Sequence, residues 1–170
     1  NTENVENMGS MFLGCSGLEK LDLTSFDTEK AENVAHMFRA CTNLRELKLG
    51  EKFNTKNVTN MGWMFQGCRN LPELDLGTEF NTENVINMEL MFQGCQSLTE
   101  LNLGTKFNTE KVTNMRNMFQ NCNELTELAL GKEFFTKNVT LMQSMFENCE
   151  SLPNLDLGNN FCTENVEDMT

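Results

Sequence analysis

Cysteine is the residue type whose spacing in this chain most resembles a chemical site. Six of the seven cysteines recur, each three residues after the Phe of a Met-Phe pair: Cys15, Cys41, Cys68, Cys95, Cys122 and Cys149. A zinc site needs closely paired Cys or His ligands, and one cysteine per repeat with a single histidine, His36, does not supply them. Equivalent side chains of stacked repeats point in parallel rather than at each other, so disulfides between them are disfavoured. We therefore expect reduced, buried thiols.

Cys162 lies outside this series, at a position where earlier repeats have Asn54, Asn81 and Asn108. A tolerated substitution explains it. A surface thiol that pairs with another chain explains it as well, since an odd cysteine invites intermolecular pairing.

The remaining reactive side chains form no catalytic pattern. His36 is the only histidine and the chain has no tyrosine, which leaves few groups for acid–base catalysis. No Ser-His-acid, Cys-His, phosphate-loop or zinc-protease motif occurs. The twelve methionines all fall in two columns of the repeat, where soft side chains fill a core. We predict a protein that is not an enzyme and uses no cofactor or metal.

Acidic side chains accumulate at the positions that alternate with the repeat's leucines. Twelve such positions carry seven acids and two lysines, a net charge of −5. Like charges on neighbouring strands repel, so one interpretation is a solvated face that tolerates a modest cost. The alternative is a binding surface for a basic or cationic partner, with or without loosely held Ca²⁺. The candidate residues are Lys20, Asp22, Glu46, Lys48, Glu73, Asp75, Glu100, Asn102, Glu127, Ala129, Asn154 and Asp156.

These residues are positioned by a repeat of 26 or 27 residues. Its Met-Phe pairs begin at Met11, Met37, Met64, Met91, Met118 and Met145. A period of this length with a fixed apolar pattern is typical of a solenoid. Each unit is too small to bury its own apolar face, so function must come from the stacked surface.

The first half of each unit, V-x-x-M-x-x-M-F, spaces its apolar residues like one face of a helix. We predict a short helix or 3₁₀ turn, with a threonine three residues before the Val capping its first turn. Gly or Asn precedes most of the repeating cysteines and suits a left-handed helix end. Ala40 takes that place in the second unit, where we expect a strained or differently closed turn.

The second half of each unit, L-x-x-L-x-L, alternates like a short strand with one buried face. One strand per unit implies parallel pairing between units. The predicted fold is an α/β solenoid of the leucine-rich-repeat type, with about six coils and one short parallel strand plus one short helix or 3₁₀ turn per coil. We expect six strands, centred on Asp22, Lys48, Asp75, Asn102, Ala129 and Asp156.

The full pattern, M-F-x-G-C-x-x-L-x-x-L-x-L-x-x-x-F-x-T-x-x-V-x-x-M, resembles the BspA-like leucine-rich repeats of bacterial surface proteins. The resemblance covers essentially the whole chain, although most units here have 27 residues rather than 25 or 26. It implies an extracellular or cell-surface location and a role in adhesion or recognition.

Domain organisation and charge restrict the partners. We expect one leucine-rich-repeat solenoid over residues 1–170, a fragment of a longer array that lacks end caps. The net charge of −12 argues against nucleic acid and anionic membranes as partners. No apolar run approaches the length of a membrane span, so we expect no direct membrane insertion.

Two functional hypotheses remain open from the sequence. The first is a binding module whose strand face contacts a protein or glycan, most favourably a basic or cationic one. The second is a structural subunit or spacer that assembles with copies of itself through its uncapped solenoid ends, using the edges at 18–26 and 152–161. Outer strand positions vary between units, which favours binding.

Overall fold

The computed structural model describes residues 1–169 as a stack of coils that pair in parallel. We number the coils 1 to 6 by their repeating cysteines. Coils 1, 2, 4 and 5 each contribute one short strand, and the strands are β1 (Lys20–Asp22), β2 (Glu46–Lys48), β3 (Glu100–Asn102) and β4 (Glu127–Ala129). β1 pairs with β2 and β3 with β4, each in parallel and with equivalent residues side by side. The leucine-rich-repeat solenoid predicted from the sequence is confirmed.

A second ladder of backbone hydrogen bonds joins the coils on the Met-Phe side. Isolated parallel bridges connect equivalent residues of successive coils, beginning with Asn7 to Asn33 and continuing to Asp168. The Phe amides carry the same ladder inward: Phe38 N donates to Met64 O and Phe65 N to Met91 O, each at 2.9 Å. Each coil is thus hydrogen-bonded to its neighbour on both sides of the core.

The predicted helix is wrong: V-x-x-M-x-x-M-F forms no α- or 3₁₀-helix in the described part of the chain. It forms consecutive turns instead, in each of which an amide donates to the carbonyl three residues earlier. Examples are Met64 N to Met61 O at 3.2 Å and Cys68 N to Phe65 O at 3.1 Å. Alternate amides donate to the next coil and so cannot donate within a helix. Apolar residues that are three positions apart point into the core from stacked turns, just as they would from a helix.

Two residues in each of these segments have left-handed backbone. The first set comprises the residues before the repeating cysteines, and Ala40 adopts this conformation with φ of 60° as the predicted strained case. The second set precedes each Met-Phe pair and consists of non-glycine residues with φ between 49° and 60°: Ser10, His36, Trp63, Leu90, Asn117 and Ser144. This second set was not predicted, because its side chains carry no common signal for a positive φ.

The core is a continuous column of Met and Phe side chains. The Phe rings of successive Met-Phe pairs stack nearly parallel, with centroids 5.4 to 5.8 Å apart from Phe12 to Phe146. Both members of each pair are fully buried in coils 2 to 5. Ten of the twelve methionines are buried packing residues as predicted, whereas Met11 and Met169 are exposed in the end coils. The column fixes the spacing of the coils that carry the surface positions.

The repeating threonines join coils rather than cap helices. Thr55 Oγ1 donates to Asn81 O at 2.7 Å and accepts a hydrogen bond from Asn81 N at 2.8 Å. Five threonines of this column are buried: Thr28, Thr55, Thr82, Thr109 and Thr136. The predicted N-cap role is therefore wrong, since the hydroxyl bonds to the next coil.

All seven cysteines are free thiols. Cys41, Cys68, Cys95 and Cys122 are buried as predicted, and Cys68 Sγ donates to Phe38 O at 3.2 Å. Burial raises the pKa of these thiols, to about 11 for Cys41 and about 12 for Cys122. Burial was predicted for the two end members as well, but Cys15 is exposed and Cys149 half-buried, because each lies in an end coil with fewer neighbours.

Cys162 is half-buried. Its backbone N and O both bond Thr136 Oγ1, the role that Asn81 has for Thr55. The backbone role does not depend on the side chain, which accounts for the change from Asn to Cys. Pairing of this thiol with another chain stays a prediction.

Candidate binding face

The alternation of the leucines places the twelve predicted residues on one side of the solenoid, which we call the strand face. Eleven of them are exposed and Glu46 is half-buried. The leucines between them, such as Leu47 and Leu101, point into the core. The outward direction predicted for these positions is thus observed, whereas binding by their side chains stays a prediction.

The strand face is not one sheet of six strands, as predicted, but two separate two-stranded sheets. The predicted strand centres Asp75 and Asp156 lie in no strand, and on the strand face coil 3 pairs through a single bridge, between Glu73 and Glu100. In the four strands that form, the central residue is a leucine, one position before the predicted centre. This leucine is buried in β2 and β3 and half-buried in β1 and β4. Coils 3 and 6 thus interrupt the ladder.

Proline explains both interruptions. The chain has two prolines, Pro72 and Pro153, and they lie in coils 3 and 6. In other coils the residue at this position donates its N–H to the preceding coil: Arg45 N to Glu19 O at 2.8 Å, and Thr126 N to Thr99 O at 2.8 Å. Proline has no N–H and removes this bond, which confines it to edges or breaks of a sheet.

Lysines neutralise the first third of the strand face. Lys20 Nζ lies 2.8 Å from one carboxylate oxygen of Glu46, and Lys48 Nζ lies 2.9 Å from the other. Hydrogen bonds from Lys20 and then Lys48 lower the pKa of Glu46 to about 2. The pKa of Asp22 is lowered mainly by the Thr24 hydroxyl and amide. With two lysines and two acids, coils 1 and 2 contribute no net charge to the strand face.

The rest of the strand face carries its whole net charge of −5. Glu73 lies beside Glu100, and Glu100 beside Glu127, in parallel register. None of the three forms an ion pair within the described residues. We call this part the acidic half; it consists of Glu73, Asp75, Glu100, Asn102, Glu127, Ala129, Asn154 and Asp156.

Two grooves open on the acidic half beside the proline-containing coils. The groove between coils 3 and 4 has a volume of about 490 Å³, with Glu73, Asp75, Glu100 and Asn102 among its walls. The groove between coils 5 and 6 has a volume of about 720 Å³, with Leu128, Leu130 and Phe134 among its walls. Neither groove was predicted from the sequence, although each adjoins a proline-containing coil.

The acidic side chains do not form a metal site. No group of three or more His, Cys, Asp or Glu side chains in residues 1–169 is arranged to hold a metal ion. Asp75 Oδ1 instead accepts a hydrogen bond from Gly77 N at 2.8 Å, and Asn102 Oδ1 accepts one from Gly104 N at 2.9 Å. Loosely held Ca²⁺ therefore finds no support in this geometry.

A search of residues 1–169 for membrane-spanning helices finds none of sufficient length and hydrophobicity.

Each coil has one parallel strand position, and its leucines form inward-facing columns. These features place the chain in the class of leucine-rich-repeat solenoids. The chain belongs to the family described as "Mycoplasma protein of unknown function, DUF285", which matches residues 1–73, 45–149 and 73–170. The match establishes this family for the chain. The resemblance to BspA-like repeats stays a prediction.

Solved structures of two leucine-rich repeat proteins are similar to the chain. A Bacteroides ovatus protein is 17% identical with a TM-score of 0.49, over 89% of this chain and 40% of that one. A T. pallidum protein is 18% identical with a TM-score of 0.43, over 86% of this chain and 70% of that one. The chain therefore spans well under half of the Bacteroides ovatus protein. No curated protein matches the sequence significantly.

Proposed function

We propose that the chain is a non-catalytic recognition module that binds a basic protein partner through the acidic half of its strand face, at the cell surface. The observation that carries the proposal is the row Glu73, Glu100 and Glu127. These carboxylates are exposed, adjacent and without a cation. Stacked like charges destabilise a sheet, and a basic partner would remove that cost on binding.

A protein partner is favoured over a glycan because the strand face offers no aromatic ring for stacking against a sugar. The one tryptophan, Trp63, lies in the Met-Phe segment, where its ring stacks on His36 with centroids 4.8 Å apart. The twelve strand-face residues include no Phe or Trp. Charge is thus the main feature that this surface presents.

The proposal is tested by comparing two triple variants of equal charge. Glu73→Gln, Glu100→Gln and Glu127→Gln together remove the central row. Glu3→Gln, Glu83→Gln and Glu110→Gln remove three exposed carboxylates outside the strand face. Binding of poly-L-lysine should weaken more in the strand-face variant, with a smaller dependence on salt. Equal weakening in both variants would show a general charge effect and contradict the proposal.

A second candidate function is assembly through the ends of the solenoid. Met11 and Leu13 are 44% and 47% exposed at one end, and Met169 is 58% exposed at the other. Apolar surface of this kind would suit contact with another copy. This hypothesis predicts oligomers that grow with protein concentration in sedimentation velocity and that the strand-face variant leaves unchanged.

A further inference from the structure

The groove between coils 3 and 4 exposes backbone groups as well as carboxylates. Where the ladder is complete, its last hydrogen bond runs from Leu23 N to Lys48 O at 2.8 Å or from Leu103 N to Ala129 O at 3.2 Å. The equivalent bond between coils 3 and 4 would join Leu76 N to Asn102 O, and it is absent from the described residues. The groove of about 490 Å³ lies at this place.

Pro72 lies at the start of the coil 3 segment that lines this opening. Its carbonyl still accepts a hydrogen bond from Thr99 N at 3.2 Å, so pairing with coil 4 begins normally. Its ring nitrogen cannot donate to coil 2, so the segment after it is not held as a strand from that side. Pairing with coil 4 then stops after the Glu73–Glu100 bridge. Leucine burial is kept, with Leu74 and Leu76 still in the core.

We propose that an extended peptide segment carrying lysine or arginine side chains lies in this groove, parallel to the coils. This inference rests on the proposed function and specifies its partner. The peptide backbone would bond to the Leu76 N–H and the Asn102 C=O, as an added strand does at an open sheet edge. Its cationic side chains would meet Glu73, Asp75 and Glu100, which form the walls.

Under this proposal, binding depends on the open backbone groups beside coil 3 as well as on charge. Alternate side chains of an extended peptide lie on the same side and about 7 Å apart. A peptide of alternating Lys and Thr therefore presents a row of ammonium groups to the carboxylates while its backbone stays in the groove. Free lysine or a compact polycation would meet the same charges without the backbone bonds.

The test restores the missing amide of coil 3, so that coil 3 can form a full strand and close the groove, without changing any charge. Pro72→Thr introduces the residue that coils 4 and 5 have at this position, Thr99 and Thr126. The matched control is Pro153→Thr, which makes the same change in coil 6. The probe is a synthetic octapeptide of alternating Lys and Thr, and its dissociation constant is measured by fluorescence anisotropy. A second probe has the same sequence with alternate backbone amides methylated.

We expect Pro72→Thr to weaken octapeptide binding roughly tenfold, because one or two hydrogen bonds and the groove are lost. Pro153→Thr should bind like the wild type, and the methylated peptide should bind the wild type roughly tenfold less tightly. Hydrogen exchange at the new amide of position 72 should be slow, since it would donate to Arg45 O.

The outcomes separate this proposal from the proposed function. If Pro72→Thr binds the octapeptide like the wild type while the strand-face Gln variant does not, charge recognition stands and the groove proposal is overturned. Equal binding of both peptides would also overturn it. A fast-exchanging amide at position 72 would mean that the substitution had not restored the strand, and the comparison of the two peptides on the wild type would then decide the proposal. If no strand-face variant changes binding, the proposed function itself fails.

Discussion

At the scale of single residues, the coil depends on backbone conformations that side-chain types only partly reveal. Glycine or asparagine marks the left-handed residue before most repeating cysteines, and so the strain at Ala40 could be predicted. The other left-handed residue of each coil is bulky in several coils, as at Trp63 and Leu90. Hydrogen bonds from the stacked turns to the neighbouring coil impose the left-handed conformation there. Such a tertiary constraint leaves no pattern in the sequence.

Replacing Ala40 with glycine should stabilise the protein. Ala40 has φ of 60°, a conformation that glycine adopts without the clash of a Cβ atom, so the free energy of unfolding should rise by about 1 kcal/mol. The control is Ala35→Gly in the same coil, where the residue is buried and φ is not positive, and where we expect a loss of stability. Urea unfolding of the two variants measures both changes, and a loss of stability in Ala40→Gly would argue against the left-handed assignment.

The ion pairs of Glu46 should make stability depend on pH in a defined range. Lys20 and Lys48 lower the pKa of Glu46 from 4.5 to about 2, so the folded state holds its carboxylate proton more weakly than the unfolded state. The stabilisation is therefore present above pH 4.5 and is lost as the pH falls towards 2. Glu46→Gln should reduce the fall in thermal unfolding temperature over this range. An identical pH profile for the variant and the wild type would contradict the pairing.

At the scale of elements, the coil period and the parallel strands followed from the leucine and Met-Phe spacing. The helix prediction failed because a spacing of three residues fits stacked turns as well as a helix, and hydrogen bonds between coils decided between them. The number of strands was wrong for a reason visible in the sequence. Pro72 and Pro153 remove the N–H that the ladder uses. Which lysine neutralises which acid depended on the observed stacking of β1 on β2.

The threonine bridges should be a measurable part of the contact between coils. Thr82 is buried, and its hydroxyl donates to Asn108 O at 2.7 Å. Thr82→Val keeps the shape of the side chain but leaves that carbonyl unpaired, which should cost about 1–3 kcal/mol. Thr78→Val, at an exposed position, serves as the control and should change stability little. Chemical denaturation compares the two, and equal small effects would mean that the hydroxyl bridge contributes no stability.

At the scale of the whole molecule, the protein is a linear stack in which each coil contacts only its neighbours. Stability should therefore depend on where a coil lies in the array. Phe92 is fully buried between the rings of Phe65 and Phe119, each about 5.5 Å away. Phe146, by contrast, is half-buried and stacks on one ring, that of Phe119.

Truncating these two rings should give different unfolding behaviour. Phe92→Ala should cost about 3–5 kcal/mol, as expected for a packed core ring. Phe146→Ala should cost less and should expose the amides of coil 6 first in native-state hydrogen exchange. Equal destabilisation in a single cooperative transition would contradict a neighbour-by-neighbour account of the stack.

Over the whole molecule, the strand face consists of a neutral part and the acidic half. A basic partner should bind the acidic half. Hydrogen exchange with and without the Lys-Thr octapeptide tests this division most directly. We expect slower exchange for amides in 74–78 and 102–104, and no change on β1 and β2 or in the Met-Phe segments. Protection spread evenly over the solenoid, or confined to the coil ends near Met11 and Met169, would contradict it.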